Sequence, residues 1–138
     1  YEGFKIWGSP YTPWFHGVHP KCKAFMVSES ELEKKWQKIP SDTDILITHG
    51  PPYGVLDEVV YVRMDNNRHI FKRTGSLSLL VKIDEIKPKL HVFGHIHEHG
   101  GKTILYKHLG MNTISVNCSH VNEDYFPVNK PVRVILDQ

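Results

Sequence analysis

The sequence predicts a mixed α/β fold in a single domain that spans residues 1–138. Helical and extended patterns alternate along the chain, with no internal repeat or linker. Two continuous apolar runs of strand length, within 44–50 and at 90–93, indicate strands that are covered on both faces. Hydrophobic residues make up 40% and charged residues 23% of the chain, which is typical of a globular domain.

The first part of the chain predicts two strands and a helix. The strands are Phe4–Trp7, stopped by Gly8-Ser9-Pro10, and Ala24–Val27. Ser28 stands three residues before Glu31, which is the spacing of a capping box. The helix that begins there has one apolar face, and a proline ends it. This face consists of Leu32, Trp36 and Ile39.

The remaining elements follow from the two apolar runs. After the strand within 44–50, residues 61–74 are polar and carry no clear pattern. The stretch 75–88 predicts a second helix, and Leu90–Phe93 the next buried strand. Further strands are expected at Thr103–Tyr106, Thr113–Val116 and Val132–Leu136. The predicted order is β-β-α-β-α-β-β-β-β.

Charge and cysteine content narrow the function classes. A formal net charge of +2, without a Lys/Arg block, argues against a nucleic acid polymer or a membrane surface as partner. Cys22 and Cys118 lie far apart and form no C-x-x-C pair, so we expect two reduced thiols. No apolar run reaches the length of a membrane span, and no signal peptide is evident. We therefore expect a cytoplasmic protein.

The histidines carry the chemical signal. Residues 91–101 read HVFGHIHEHGG. If this segment is extended, His95 and His97 point the same way while Ile96 turns into the core. His49 ends a different buried strand, also beside a glycine. Imidazoles suit Zn, Fe and Mn, so these three side chains are candidate metal ligands that converge on one pocket. The alternative is a polar strand end whose histidines only form hydrogen bonds.

Two blocks resemble a known family. THGPP at 48–52 and HVFGHIHE at 91–98 are similar to the last two motifs of the calcineurin-like metallophosphoesterases. The match is closer to the metallophosphoesterase-domain-containing group related to the fetal-brain 239 protein. The resemblance covers five stretches that lie in the expected order. They are 2–15, 43–52, GSLSLL at 75–80, IKPKLHVFGHIHE at 86–98 and ISVNCS at 114–119.

The resemblance implies a fold, a reaction and ligands. The fold is a two-sheet β-sandwich flanked by helices, of which this chain would be the C-terminal half. The site holds two divalent ions (Mn, Fe or Zn), and a metal-bound hydroxide attacks a phosphodiester, cyclic nucleotides among the candidates. By position, His49 and His95 resemble ligands of one ion and His97 a ligand of the other. Some members have Gly in place of His95, so we expect stronger hydrolysis here.

The sequence also lacks several motifs that the family carries. The family's Asp-x-His, Gly-Asp and Gly-Asn-His blocks are absent, and the chain begins with Tyr1 rather than Met. We therefore expect a fragment of a longer enzyme that lacks the general-acid histidine, so no catalytic residue is assigned. Alone it would hold one metal or none. Its exposed apolar face would need the missing half or a second copy for stability.

For most of the other candidate residues the sequence allows both a functional and a purely structural role. By resemblance, Asn117 and Trp14 are candidates for substrate binding; the alternatives are a strand-end cap and a packed aromatic loop. His91 is predicted to be an interior histidine. The basic residues of the unassigned segment either steer an anionic substrate or form a solvated loop. They are Arg63, Arg68, Lys72 and Arg73.

Two rival functions remain open. The chain could be a non-catalytic binding or regulatory module with at most one bound metal. It could also be a degradation product without a function of its own. The leading hypothesis is a metal-dependent phosphoesterase acting on a small phosphoester, with this chain supplying part of the site.

Overall fold

The computed structural model describes residues 1–14, 24–62, 69–106 and 112–137, and its elements alternate as a mixed α/β fold requires. The predicted fold class is confirmed. Cys22, Arg63 and Arg68 lie outside the described residues. In order, the elements are β1 (Ile6–Ser9), β2 (Thr12–Pro13), β3 (Met26–Val27), α1 (Glu29–Trp36), β4 (Ile45–Thr48), β5 (Glu58–Val62), β6 (His69–Arg73), α2 (Leu77–Ile86), β7 (Leu90–Phe93), a 3₁₀ turn (His97–His99), β8 (Thr103–Tyr106) and β9 (Thr113–Asn117).

A five-stranded sheet organises the molecule. Its strand order is β1-β4-β7-β9-β8, and only the pairing of β8 with β9 is antiparallel. The parallel strands β1, β4, β7 and β9 therefore end at one edge of the sheet. Sites of α/β proteins form at this edge, because the loops that leave neighbouring strands meet there.

The two helices pack together over one face of the sheet. The predicted capping box at the start of α1 is confirmed: the Glu31 N–H donates to Ser28 Oγ (3.3 Å), and the Ser28 N–H donates to Glu31 Oε2 (3.1 Å). Trp36 Nε1 donates to the hydroxyl of Ser76, which caps α2 (3.2 Å). The core on this face consists of Leu32, Trp36, Ile39, Leu46, Leu79, Ile83 and Ile86.

The opposite face of the sheet is apolar and partly uncovered. Ile6, Ile47 and Leu105 lie on it and are 48%, 44% and 49% exposed. Leu90 and Val116 share this face, as their strand pairing shows, yet they are buried. Strand β4 is therefore only partly covered on this face, where Ile45 is half-buried and Ile47 exposed, so the predicted cover on both faces is complete on one face only.

The C-terminal segment, defined here as residues 129–137, runs from one end of the sheet to the other. Asn129 Nδ2 donates to Ser119 O (2.9 Å) beyond β9, and Lys89 Nζ donates to Asp137 O (3.0 Å) just before β7. Every second side chain in between is half-buried: Val132, Val134 and Leu136. The segment is therefore tied near both ends of the sheet and has one half-buried side.

Several elements differ from the prediction. The strand expected at Val132–Leu136 was wrong, because the segment is extended but pairs with no described strand. The unassigned stretch instead contributes to an antiparallel hairpin of β5 and β6. Strand β1 continues through Gly8, since β4 supplies a partner for it at Ile47. Within the described part of the chain, no helix is long and apolar enough to cross a membrane.

Candidate metal and substrate site

Two of the predicted ligands meet at the carboxyl edge of the sheet. His49 follows β4 directly, and His95 follows the adjacent parallel strand β7 by two residues. His49 Nε2 and His95 Nδ1 are 3.2 Å apart, and the ring centroids are 4.7 Å apart. The backbone fixes this approach, because the Gly94 N–H donates to His49 O (3.0 Å) and the His49 N–H to Ser9 O (3.2 Å).

His95 adopts a backbone conformation that few side chains tolerate. Its φ is +71°, in the left-handed region. The loop holds it there: Ile96 is buried, and its carbonyl accepts a 2.7 Å hydrogen bond from Asn117 Nδ2. The predicted burial of Ile96 is confirmed, whereas the predicted extended backbone was wrong, since His97 opens a 3₁₀ turn. Strain of this kind concentrates at functional sites.

Electrostatics keep the pair neutral. Burial, together with the neighbouring His49 and His97, lowers the pKa of His95 to about 4. Partial burial also lowers the pKa of His49. Both side chains are therefore neutral at pH 7, which is the form of histidine that binds metals.

The spacing of the pair fits a shared ion. Imidazole nitrogens lie about 2.0–2.1 Å from zinc, so two of them on one ion at angles between 90° and 109° are about 2.8–3.4 Å apart. The observed 3.2 Å falls within this range, and without an ion the two nitrogens form a hydrogen bond of that length. The donor set is two neutral nitrogens, which suits a first-row transition metal better than Mg²⁺ or Ca²⁺.

His97 does not complete this group. Its ring packs edge-on against Tyr125 at 5.0 Å, although it is near enough to act on the pKa of His95. Among residues 1–14, 24–62, 69–106 and 112–137, no three His, Cys, Asp or Glu side chains converge as a metal site would require. The predicted convergence therefore holds for His49 and His95 and not for all three. The metal roles of these residues stay predictions.

Asn117 and Trp14 have different surroundings. Asn117 is fully buried, and besides its bond to Ile96 it accepts a hydrogen bond from the Ser119 N–H (2.9 Å). It thus fastens the His95 loop to the end of β9. Trp14 is 43% exposed and lines a cavity of about 230 Å³. Substrate binding by either residue stays a prediction.

His91 supports the site from inside, and its predicted interior position is confirmed. It is fully buried, and burial lowers its pKa to about 3. Its Nε2 is 2.8 Å from Thr48 Oγ1, and that hydroxyl donates to Gly50 O (2.7 Å). Because the hydroxyl proton is already used, His91 Nε2 is the donor. The imidazole therefore fixes the turn that carries His49.

Sequence reasoning missed Thr12. It is 3% exposed, and its hydroxyl has no hydrogen-bond partner among the described residues. A Cβ added at Gly50 would lie 2.9 Å from Thr12 Oγ1 and 3.7 Å from the His95 ring, so this hydroxyl lies beside the histidine pair. No motif marks Thr12, because its approach to Gly50 is a tertiary contact between residues far apart in sequence.

The fold gives the class, a mixed α/β protein whose sheet and two helices are consistent with the C-terminal half of a metallophosphoesterase fold. The chain is 39% identical over 139 residues to metallophosphoesterase domain-containing protein 1 of Homo sapiens, covering 98% of this chain and 36% of that protein. The Mus musculus protein of the same name gives the same values. A UPF0046 protein of Caenorhabditis elegans is 37% identical over 133 residues, covering 94% of this chain and 28% of that protein.

The chain belongs to the metallophosphoesterase-domain-containing group and matches its C-terminal part. It spans about a third of the length of these curated relatives. No family model matches it. A stretch of 101 residues is also 40% identical to a probable rhamnogalacturonate lyase C of Emericella nidulans, but it covers only 8% of that protein.

Proposed function

We propose that the parent protein is a metal-dependent phosphoesterase that cleaves phosphodiesters, cyclic nucleotides among the candidates, and that this chain supplies the C-terminal part of a dinuclear site. The observation that carries the proposal is the neutral imidazole pair, His49 Nε2 and His95 Nδ1, 3.2 Å apart at the carboxyl edge of the sheet. The names of the relatives support the same chemistry.

Each residue would have a distinct task. His49 and His95 would hold one ion, and His97 the other together with ligands from the rest of the parent. Mn, Fe or Zn would supply Lewis-acid activation of water and neutralise charge on the phosphoryl oxygens. Around them, His91 and Thr48 orient the His49 turn, while Asn117 holds the His95 loop in its left-handed conformation.

We also propose that the rest of the parent covers the apolar face of the sheet. The face exposes Ile6, Ile47 and Leu105. A second sheet packed there would bury them and offer a strand partner to the segment. The substrate partner is a small phosphoester. We propose the cytoplasm as the location, in keeping with the exposed free thiol of Cys118.

Activity of the full-length parent tests the proposal. With Mn²⁺ it should hydrolyse bis-p-nitrophenyl phosphate, and His95→Ala and His97→Ala should each lower kcat by roughly 100-fold or more and reduce bound metal, since both remove a ligand. The exposed His120 provides a matched control, and His120→Ala should keep wild-type turnover and metal content. Unchanged turnover in His95→Ala and His97→Ala would reject the assignment.

A non-catalytic module is the second candidate, favoured by the two-nitrogen site without a third ligand among the described residues. Such a module would bind at most one ion. Titration of the full-length parent with Co²⁺, followed by absorption and combined with the hydrolysis assay, separates the two. One equivalent bound by a full-length parent that lacks hydrolysis would favour the module.

A further inference from the structure

We propose that the groove between α1 and α2 is a docking surface for a short, basic, amphipathic helix of another protein. This surface is called here the inter-helix groove. It has an apolar part and an acidic rim, formed respectively by Trp36, Leu77 and Val81 and by Glu29, Glu33 and Glu85. None of these side chains belongs to the histidine site, so the inference is independent of the proposed reaction.

Helix α2 carries apolar side chains on its outer face, where a helix packed on a sheet ordinarily has polar ones. Leu79 and Ile83 are buried, and Leu77 and Val81 each precede one of them by two residues, which is about 200° around the helix axis. Leu77 is 56% and Val81 61% exposed. Four residues apart, they form an apolar stripe about 6 Å long that is open to a partner.

The groove has the size and shape that suit a helix. Its volume is about 480 Å³, within the roughly 300–1,000 Å³ of specific binding pockets. Trp36 lines it although the residue is only 1% exposed, so the indole forms the base of the groove. Insertion of apolar side chains spaced at i and i+4 into such a groove is a recurring mode of peptide recognition.

Hydrogen bonds between the two helices fix the width of the groove. Glu29 Oε1 on α1 accepts from the Ser78 N–H (2.7 Å) and from the hydroxyls of Ser78 (2.7 Å) and Ser76 (2.9 Å) at the start of α2. The Ser76 hydroxyl in turn accepts from Trp36 Nε1 (3.2 Å). Because these bonds set the walls before a partner arrives, little ordering cost falls on binding.

The rim of the groove is acidic and therefore selects a basic partner. Among the described residues that line it, three are glutamates and one is a lysine, whereas the chain as a whole has a formal net charge of +2. Lys82 lies 2.9 Å from Glu85, which neutralises it. Glu33 is exposed and forms no ion pair within residues 1–14, 24–62, 69–106 and 112–137. Lys or Arg beside the apolar residues of the partner would complement Glu33.

Charge also disfavours two other occupants. A symmetric contact with a second copy of the chain would set Glu33 against the same residue of that copy. An anionic membrane surface would meet the same carboxylates and be repelled. A basic helix from a different protein meets neither obstacle.

Peptide binding tests the groove without hydrolysis. The probe is a fluorescein-labelled helical peptide that has two leucines four residues apart flanked by lysines, and the reference peptide has glutamates in place of the lysines. Fluorescence anisotropy with the full-length parent at low salt should give a dissociation constant at least roughly tenfold lower for the lysine peptide. This preference should shrink as the ionic strength rises, because salt screens the charges at the exposed rim.

Substitutions separate the apolar contribution from the charged one. Val81→Ser should weaken binding of the lysine peptide roughly tenfold. Glu33→Gln should reduce the preference for lysine over glutamate roughly threefold. Val128→Ser and Glu123→Gln are the matched controls, since Val128 is 57% exposed, Glu123 is exposed and neither lines the groove. Both control variants should bind the two peptides as wild type does.

Equal binding of the two peptides, or of neither, would overturn the proposal, and so would wild-type affinity in Val81→Ser. If wild type binds no peptide and Val81→Ser lowers the melting temperature of the parent, the rest of the parent occupies the groove. If the parent dimerises and Val81→Ser makes it monomeric, a second copy does. Either result would also overturn the proposal.

Discussion

Acid should destabilise the protein through His91, and a single substitution isolates the effect. The imidazole is fully buried, and its pKa is about 3 against 6.5 for an unperturbed histidine. The unfolded chain therefore binds a proton at a higher pH than the folded chain does. Stability from the neutral ring is fully present above pH 6.5 and is lost as the pH falls toward 3.

The size of the effect follows from the two pKa values. One unit of difference corresponds to about 1.4 kcal/mol, so the full swing is about 5 kcal/mol. Between pH 7 and pH 5 the folded form stays neutral, and the loss is about 2 kcal/mol. His91→Gln keeps an N–H donor for Thr48 and cannot titrate, so its stability should fall about 2 kcal/mol less over the same range.

Urea unfolding of wild type and His91→Gln at pH 7, 6 and 5, in the full-length parent with Mn²⁺ saturating, measures this difference. Other titrating groups are common to both proteins, so they cancel in the comparison. Equal slopes in the two proteins, or an NMR titration that places the pKa of His91 near 6.5, would refute the argument.

Three further substitutions test the local geometry. Gly75→Ala should cost about 2–3 kcal/mol in thermal unfolding, because the added Cβ would lie 2.4 Å from Pro52 O. Ser28→Ala should cost about 1 kcal/mol by removing the α1 cap, read as a lower urea midpoint. Asn117→Ala should cost about 1–3 kcal/mol and weaken Mn²⁺ binding, since the Ile96 carbonyl loses its donor.

Each of these has its own control. Gly8→Ala should be well tolerated, because its Cβ would meet nothing closer than 3.5 Å, so equal losses at Gly8 and Gly75 would contradict the packing argument. An unchanged midpoint in Ser28→Ala would mean that the capping box contributes no stability. If Asn117→Ala lowers stability and leaves metal affinity intact, the His95 loop does not depend on this amide.

Local pattern predicted those elements that carry a clear apolar run or a capping signal in the sequence. The boundaries of Leu90–Phe93 and Thr103–Tyr106 agree with the prediction, and the Ser28 cap lies where its spacing placed it. The β5–β6 hairpin was missed because its two strands lie in a polar stretch without a clear pattern. Val132–Leu136 shows the converse, since its alternation is that of a strand while none of the described strands pairs with it.

The sequence identified which residues belong to the candidate site, but it did not predict how they are arranged in space. The Gly-flanked histidines stand out in the sequence, but their approach depends on β4 and β7 being neighbours, which spacing cannot reveal. The left-handed turn at His95 was also hidden, because histidine rarely adopts it and tertiary contacts impose it. No pattern in the sequence indicated that Thr12 would lie near these residues.

Two features of the chain, its exposed apolar face and its incomplete set of ligands, are both explained by the same kind of partner. The apolar face exposes Ile6, Ile47 and Leu105, and the histidine pair lacks a third ligand among the described residues. A second copy of the chain would cover the face, but each copy would bring the same ligand set. The rest of the parent could both cover the face and add carboxylate and amide ligands. Because one partner resolves both deficits, we favour an intramolecular partner over a homodimer.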